Sequence, residues 1–374
     1  MEWFLGAPLF LALVYAGWQR YNLYQWCRPA DHSPAVQDAY PSIAIVVPFR
    51  NEAHNLPALL SSLYAQDYPG AYEIILIDDH STDGGGAAIV PNGIELRTLR
   101  LCNYPEYLRT AAHKKNALTL AIDHTDCEVI VTTDADCILR PGMLRQIGHV
   151  YRRGADVVLG PVLISPVTDF CSAFQALDMA AYQLFTAASL RSGHPALANG
   201  ANFSFRKGAF ERVGGYRGVD HLPSGDDVLL LHKFAAVSGL RIRYAGDREA
   251  VVRTLPVVGW RALWRQRLRW AGKAGAYASP ALTFAQALAF CTSAGILASL
   301  LLGMFDYRFA LVGVCSWLVK AAIDRRLLRS VCHRYGRGEL MRWYPLAQLI
   351  YPLYLVSVGT AALFGVKVGW KGRG

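Results

Sequence analysis

Charge is scarce in this chain. Of its 374 residues only 18% are Asp, Glu, Lys or Arg, against a hydrophobic fraction of 53%, which is apolar-rich and charge-poor for a soluble domain. The eight cysteines (Cys27, Cys102, Cys127, Cys137, Cys171, Cys291, Cys315 and Cys332) form no CxxC pair. That excludes a paired-cysteine zinc site and a disulfide framework, and it fits a reducing compartment. No helix-turn-helix, zinc-finger or RNA-binding signature occurs, so nucleic acid is not an expected partner. No internal repeat is apparent. The first apolar stretch, Trp3 to Trp18, lacks a basic segment before it and an Ala-x-Ala site after it, which argues against a cleaved signal peptide.

The apolar excess sits in blocks near the two ends. Trp3–Trp18, Ala281–Gly303, Phe305–Ile323 and Tyr344–Gly365 are expected membrane segments, although the first holds about 16 residues against the ~20 that cross comfortably. The formal net charge is +10, and the arginines flank the apolar blocks, which favours lipid headgroups and phosphates as partners. Arg20 and Arg28 follow the first block. Arg325, Arg326, Arg329, Arg334, Arg337 and Arg342 fill an expected loop, Asp324–Arg342, before the last block. Both clusters place the intervening domain on the cytoplasmic side of a multi-pass cell-membrane protein. A third C-terminal crossing would carry Lys367, Lys371 and Arg373 outward, against the same rule. Lys320 lies near a helix end and can snorkel, so it need not be functional. The expected domains are a membrane helix at 1–19, a linker at 20–41, a catalytic domain at 42–255, an amphipathic interface helix at 256–278 and a membrane region of about three segments at 279–374.

Between the blocks, β-branched runs alternate with helical stretches. Ser42–Val47, Glu73–Ile77, Ile94–Leu99, Glu128–Thr133 and Asp156–Leu163 read as strands; Asn55–Gln66, His113–Asp123, Ser172–Arg191 and Val228–Ser238 read as helices. Such alternation predicts a mostly parallel α/β sheet. Asp134-Ala-Asp136 follows a buried strand, so two carboxylates stand at the sheet edge where open α/β sheets bind ligands. Paired hard oxygen donors suit Mg²⁺ or Mn²⁺ bound together with substrate phosphates. A solvated Asp-x-Asp turn is the plain alternative. Trp260–Trp270 is an aromatic and cationic amphipathic helix of the kind that lies in a membrane interface.

Several stretches occur together in a fixed order: Val46-Val-Pro-Phe-Arg-Asn-Glu52, Ile77-Asp-Asp79, His113-Lys-Lys-Asn-Ala-Leu118, Asp134-Ala-Asp136, Gly200-Ala-Asn-Phe-Ser-Phe-Arg206 with Gly214-Gly215, Ser224-Gly-Asp-Asp227 and Gln266-Arg-Leu-Arg-Trp270. With this set the chain resembles the membrane-bound family 2 glycosyltransferases of GT-A fold, the branch containing polysaccharide synthases, ceramide glucosyltransferase-like enzymes and bacterial lipid glycosyltransferases. The resemblance covers roughly residues 42–275 and implies a Rossmann-like mostly parallel sheet domain with flanking transmembrane helices.

The resemblance also implies roles. Asp79 would accept an N–H of uracil or guanine, and Pro48, Arg50 and Glu52 would line the nucleotide cleft. Lys114, or its neighbour Lys115, would contact the diphosphate; the family often has Gly where His113 stands here. Asp136 would ligate the metal, and Asp134 would contact metal or ribose. Asp227 would be the general base, with Asp226 a rival, because Gly-Asp-Asp stands where the family often has Glu-Asp. Gln266 and Arg269 would close over the diphosphate, and Trp270 would offer a face to the acceptor. The implied reaction is inverting, metal-dependent transfer of a sugar from a nucleotide-sugar, UDP-sugar foremost, to a lipid or lipid-linked acceptor at the cytoplasmic face. The alternatives are a processive polysaccharide synthase acting on a glycan, a nucleotidyltransferase and a non-catalytic membrane partner.

Overall fold

The computed structural model describes residues 2–29, 34–85, 94–108, 110, 112–272 and 277–366; the C-terminal basic residues Lys367, Lys371 and Arg373 lie outside them. The chain divides into two compact units, one comprising 29–165 and 195–255, the other 1–28, 166–194 and 256–374.

The first unit is built on a seven-stranded sheet. In chain order its strands are β1 Ile43–Phe49, β2 Tyr72–Asp78, β3 Glu95–Arg100, β4 Val129–Thr132, β6 Val157–Leu159, β8 Phe203–Arg206 and β9 Ile242–Tyr244, arranged β3-β2-β1-β4-β8-β6-β9. β1 pairs in parallel with β2 and β4, β2 with β3, and β6 with β9, while β8 runs antiparallel to β4 and β6. This is the expected mixed, mostly parallel sheet. Its central strands are buried, which is why β1 reads as a nearly unbroken apolar run. β3 lies at the sheet edge and is largely exposed, matching its alternation of charged and apolar residues. Helix α2, Leu56–Tyr64, buries Leu56, Leu59, Leu60 and Leu63 in the core with Ile45, Ile74 and Val131.

The single strand expected over 156–163 is split. β6 ends at Leu159, and β7, Val162–Ile164, joins β5, Cys137–Leu139, and β10, Val252–Thr254, in a second, three-stranded sheet. Pro161, which has no N–H to donate, follows the break. At Gly160 a Cβ would come within 2.2 Å of the Asn202 side chain. The Asn202 amide donates to the Pro161 and Ala250 carbonyl oxygens at 2.9 and 2.8 Å, so the missing side chain makes room for the group that ties the break down.

The second unit is helical: α1 Glu2–Cys27, α5 Phe170–Arg191, α8 Trp260–Ala271, α9 Pro280–Leu302, α10 Tyr307–Arg334 and α11 Tyr344–Leu363. Two elements outrun the sequence expectation. α1 continues past residue 19 to Cys27, because no helix breaker intervenes before Pro29. α10 carries on through the arginine-rich stretch expected as a loop and stops at Arg334, just ahead of Gly336, whose φ is +65°. Lys320 does not snorkel. It is fully buried, and its ammonium donates to Asp324 Oδ2 at 2.5 Å, one turn further on. Asp324 also accepts from Tyr15 at 2.8 Å and Gln348 at 3.2 Å. One ion pair thereby joins α1, α10 and α11. Among the described residues, the helices Pro280–Leu302 and Gly338–Leu363 are long and apolar enough to cross a membrane.

Candidate active site

β1, β2 and β4 run parallel, so their C-terminal ends share one edge of the sheet. The expected donor residues of the first unit gather there. Asp79 follows β2 directly, and Asp134-Ala135-Asp136 forms a turn after β4, closed by a bond from Cys137 N–H to the Asp134 carbonyl at 3.1 Å. Pro48 is within β1, and Arg50 and Glu52 are on the loop after it. That loop is stitched to the one after β2. Asn51 N–H donates to Ser81 Oγ at 3.0 Å, Thr82 N–H to Asn51 Oδ1 at 2.8 Å and Ala53 N–H to Asp83 Oδ2 at 2.8 Å. Backbone N–H donors from Ala53 and Gly85 pull the exposed Asp83 below the usual carboxylate range.

Lys114 and Lys115 separate clearly. Both belong to helix α3, His113–Asp123, where successive side chains point ~100° apart. Lys114 Nζ lies 2.8 Å from Asp134 Oδ1 and 3.2 Å from Asp226 Oδ2. Lys115 is buried and donates to the carbonyl oxygens of Val219 and Leu222 at 2.6 and 2.9 Å, holding the loop that leads to Asp226. Burial alone would lower the Lys114 pKa; the charges of Asp134, Asp226 and Asp227 outweigh it and hold the ammonium well above its ordinary value.

Asp227 caps helix α7, Val228–Ala236. Its Oδ1 accepts from Val228 N–H at 2.7 Å and its Oδ2 from Gly200 N–H at 3.0 Å. Gly200 is a residue that sequence reasoning placed in a motif without a role. A Cβ there would meet Asp226 Oδ2 at 3.1 Å and Lys114 Nζ at 3.2 Å, so glycine lets the backbone approach the acids. Thr132, the last residue of β4, donates to the Gly200 carbonyl at 2.7 Å and couples that backbone to the strand before the paired acids.

Asp136 is half-buried, and its carboxyl is pushed up to about 6, by burial first and then by the charges of Asp134 and Glu52. These hard oxygen donors crowd like charges together, and a divalent cation would relieve that repulsion, so the donor set fits Mg²⁺ or Mn²⁺. A separate trio, Asp79, His80 and His113, brings its donor atoms within 4.8 Å of one another.

Gln266, Arg269 and Trp270 lie on α8 in the second unit. Arg267, passed over in the sequence, organises two of them. It is buried, ion-paired to Asp178 at 2.9 Å, donates to Gln266 Oε1 at 2.7 Å, and its guanidinium lies 4.2 Å from the Trp270 ring centroid. Phe174 of α5 packs beside this helix against Trp260 and Tyr354, with ring centroids at 5.2 and 5.0 Å. The signal available in sequence was a single arginine on the helical face otherwise made of Trp260, Leu263, Trp264 and Trp270.

The mixed, mostly parallel sheet with acids at the ends of its parallel strands matches the GT-A fold. The profile of glycosyl transferase family 21 matches residues 7–374. The chain belongs to that family. It is 25% identical over 250 residues to the β-monoglucosyldiacylglycerol synthase of Nostoc sp., covering 66% of this chain and 52% of the relative. It is 32% identical over 123 residues to the undecaprenyl-phosphate 4-deoxy-4-formamido-L-arabinose transferase of Yersinia pestis, covering 31% of this chain and 35% of the relative. The chain spans about half the length of the first of these, and 47% of the corresponding synthase of Synechocystis sp.. In fold it is similar to the mannosyltransferase PcManGT of Pyrobaculum calidifontis, solved with GDP-Man and Mn²⁺. There the TM-score is 0.59 at 20% identity, with 97% of this chain and 98% of that one covered.

Proposed function

We propose that this glycosyltransferase moves a sugar from a nucleotide-sugar to a lipid or lipid-linked acceptor at the cytoplasmic face of a membrane, with inversion at the anomeric carbon. The observation that carries the reading is Lys114 held between Asp134 and Asp226, with Asp227 anchored beside them by the Gly200 N–H. Paired acids on the strand side and an acid at a helix start then face a common space, as a displacement requires. Asp227 takes the proton of the acceptor hydroxyl as its oxygen attacks, with Asp226 as the competing base. A base with no obvious covalent nucleophile beside it among the described residues supports a single displacement. Lys114 meets the diphosphate. Asp136 and Asp134 would hold Mg²⁺ or Mn²⁺, whose contribution is Lewis-acid neutralisation of charge on the leaving nucleoside diphosphate. Asp79, with Pro48, Arg50 and Glu52, receives the nucleoside. Gln266 and Arg269 serve the diphosphate and Trp270 the acceptor.

A lipid acceptor is supported by three things: two helices able to cross a membrane, arginines that flank them, and similarity to a diacylglycerol glucosyltransferase and an undecaprenyl-phosphate sugar transferase. With α1 and α10 the reading is a multi-pass protein. The test is incubation of membranes carrying the protein with a panel of nucleotide-sugars. The expected result is release of nucleoside diphosphate and a lipid product bearing one added sugar. A ladder of products would replace this reading with a polysaccharide synthase, and release of pyrophosphate with a nucleotidyltransferase.

A further inference from the structure

We infer that Asp79, His80 and His113 form a second metal site at the end of β2, one that takes a nitrogen-seeking divalent cation, Zn²⁺ foremost, and shuts out the nucleoside while the ion is bound. The site stands on the geometry of the three side chains; its effect on the nucleoside rests on the proposed role of Asp79 as the base contact. One donor atom from each residue lies within 4.8 Å of the other two. His80 Nδ1 is 2.9 Å and His113 Nδ1 3.4 Å from Asp79 Oδ1. In a tetrahedral site with bonds of ~2.0–2.2 Å, neighbouring donors stand ~3.3–3.6 Å apart. The His113 separation falls in that range, and the His80 separation is a little short of it. The His80 side chain is 37% exposed, so its ring has room to turn onto an ion. The two rings stand perpendicular, with centroids 6.1 Å apart, and approach the carboxylate from different directions. The backbone holds this arrangement. Asp79 N–H donates to the Phe49 carbonyl at 2.9 Å and Ser81 N–H to Asp78 Oδ1 at 2.8 Å. Between them His80 takes φ +60°, a left-handed conformation that few non-glycine residues enter, and folds its imidazole back toward Asp79. His113 is the first residue of α3 and stands where the resembled family often has glycine.

Imidazole nitrogen suits Zn²⁺, Cu²⁺ or Ni²⁺, whereas carboxylate oxygens alone suit Mg²⁺ and Mn²⁺. The sheet edge thus carries two donor sets of different character: oxygen at Asp134 and Asp136, mixed nitrogen and oxygen at the trio. An ionised carboxylate only accepts, so in the metal-free protein His80 donates its Nδ1–H to Asp79. The ion takes the place of that hydrogen, and the imidazole carries its hydrogen on Nε2 instead. Three protein donors leave the fourth position to water, the pattern of an open site rather than a closed structural one. An ion seated there engages the Asp79 carboxylate, so Zn²⁺ and the nucleoside weaken each other's binding by the same factor.

The experiment is calorimetric titration of the full chain with Zn²⁺ in excess Mg²⁺, which fills the oxygen donors. It is run on the wild type, His80→Ala, His113→Ala and Asp136→Asn, with melting curves to establish folding. Each protein is then titrated with UDP, with and without Zn²⁺. The expected result is one Zn²⁺ per wild-type chain, with binding kept in Asp136→Asn. Either histidine variant should weaken it by at least ~10-fold, since loss of an outer-sphere partner alone costs that much. Zn²⁺ should lower UDP affinity in the wild type and not in the histidine variants. Zn²⁺ binding unchanged in both folded histidine variants, or lost only in Asp136→Asn, overturns the inference and leaves the glycosyltransferase reading standing. Histidine-dependent Zn²⁺ binding that leaves UDP affinity untouched overturns the exclusion of the nucleoside; UDP binding unaltered in Asp79→Ala would trace that failure to the base-contact role. If one histidine variant fails to fold, the other decides.

Discussion

Two lysines, one in each unit, bury their ammonium groups in different ways. Lys320 in the helical unit is fully buried and meets one carboxylate, Asp324, which is itself satisfied by Tyr15 and Gln348. The charges cancel and the hydrogen bonds close on themselves. Lys114 in the sheet unit is half-buried among Asp134, Asp226 and Asp227, with Asp136 and Glu52 adding further negative charge nearby. That cluster holds more negative than positive charge. A closed, neutral network holds helices together, whereas an open cluster with surplus charge of one sign is poised for a ligand that supplies the other.

The comparison can be broken in order of expected effect. Asp227→Asn should lower kcat by ~10²–10⁴-fold, the range for loss of a positioned general base, with nucleotide affinity retained. If Asp226→Asn alone gives that pattern, the two acids exchange roles. Lys114→Met should lower kcat/KM by ~10²-fold, as expected for one preorganised charge contact, with little change in melting temperature. Lys320→Met should do the reverse. Removing one partner of a buried ion pair costs about 3–5 kcal/mol, read as loss of thermal stability in detergent, and the double variant Lys320→Met/Asp324→Leu should recover much of it. Should Lys320→Met melt like the wild type while activity falls, the structural assignment of that pair is wrong.

The smallest effect concerns pH. Asp136 binds its proton more tightly in the fold than in the unfolded chain, with its carboxyl pushed up to about 6. The metal-free protein therefore loses stability as pH rises from the ordinary carboxylate range through about 6. A cation competes with that proton, so added Mn²⁺ should raise the melting temperature above pH 6 and progressively less below it. An equal Mn²⁺ shift at pH 5 and pH 7.5 would separate Asp136 from the metal.

The sheet was legible because buried parallel strands announce themselves as β-branched runs, and because acids directly after two of them must share an edge. Asp79, Asp134 and Asp136 stand where that logic puts them. The phase of α3 was not readable from Lys114-Lys115, since either could face the acids until the helix was docked. The burial of Lys320 was not readable because the groups that complete the network around Asp324, Tyr15 and Gln348, lie 305 and 28 positions from Lys320 along the chain; only Asp324, at i+4 spacing, was within local reach. The convergence of His80 and His113 on Asp79, and Arg267 between Gln266 and Trp270, likewise depend on packing that no local pattern encodes. Gly200 was placed in a motif, but its closeness to Lys114 and Asp226 belongs to the folded backbone.

The most direct test is calorimetric binding of UDP to the wild type and to folded Asp136→Asn, each with and without Mn²⁺. Metal-dependent binding in the wild type that Asp136→Asn abolishes is the predicted result. Equal, Mn²⁺-dependent binding in both proteins would contradict the assignment of the sheet-edge acids as the donor and metal site.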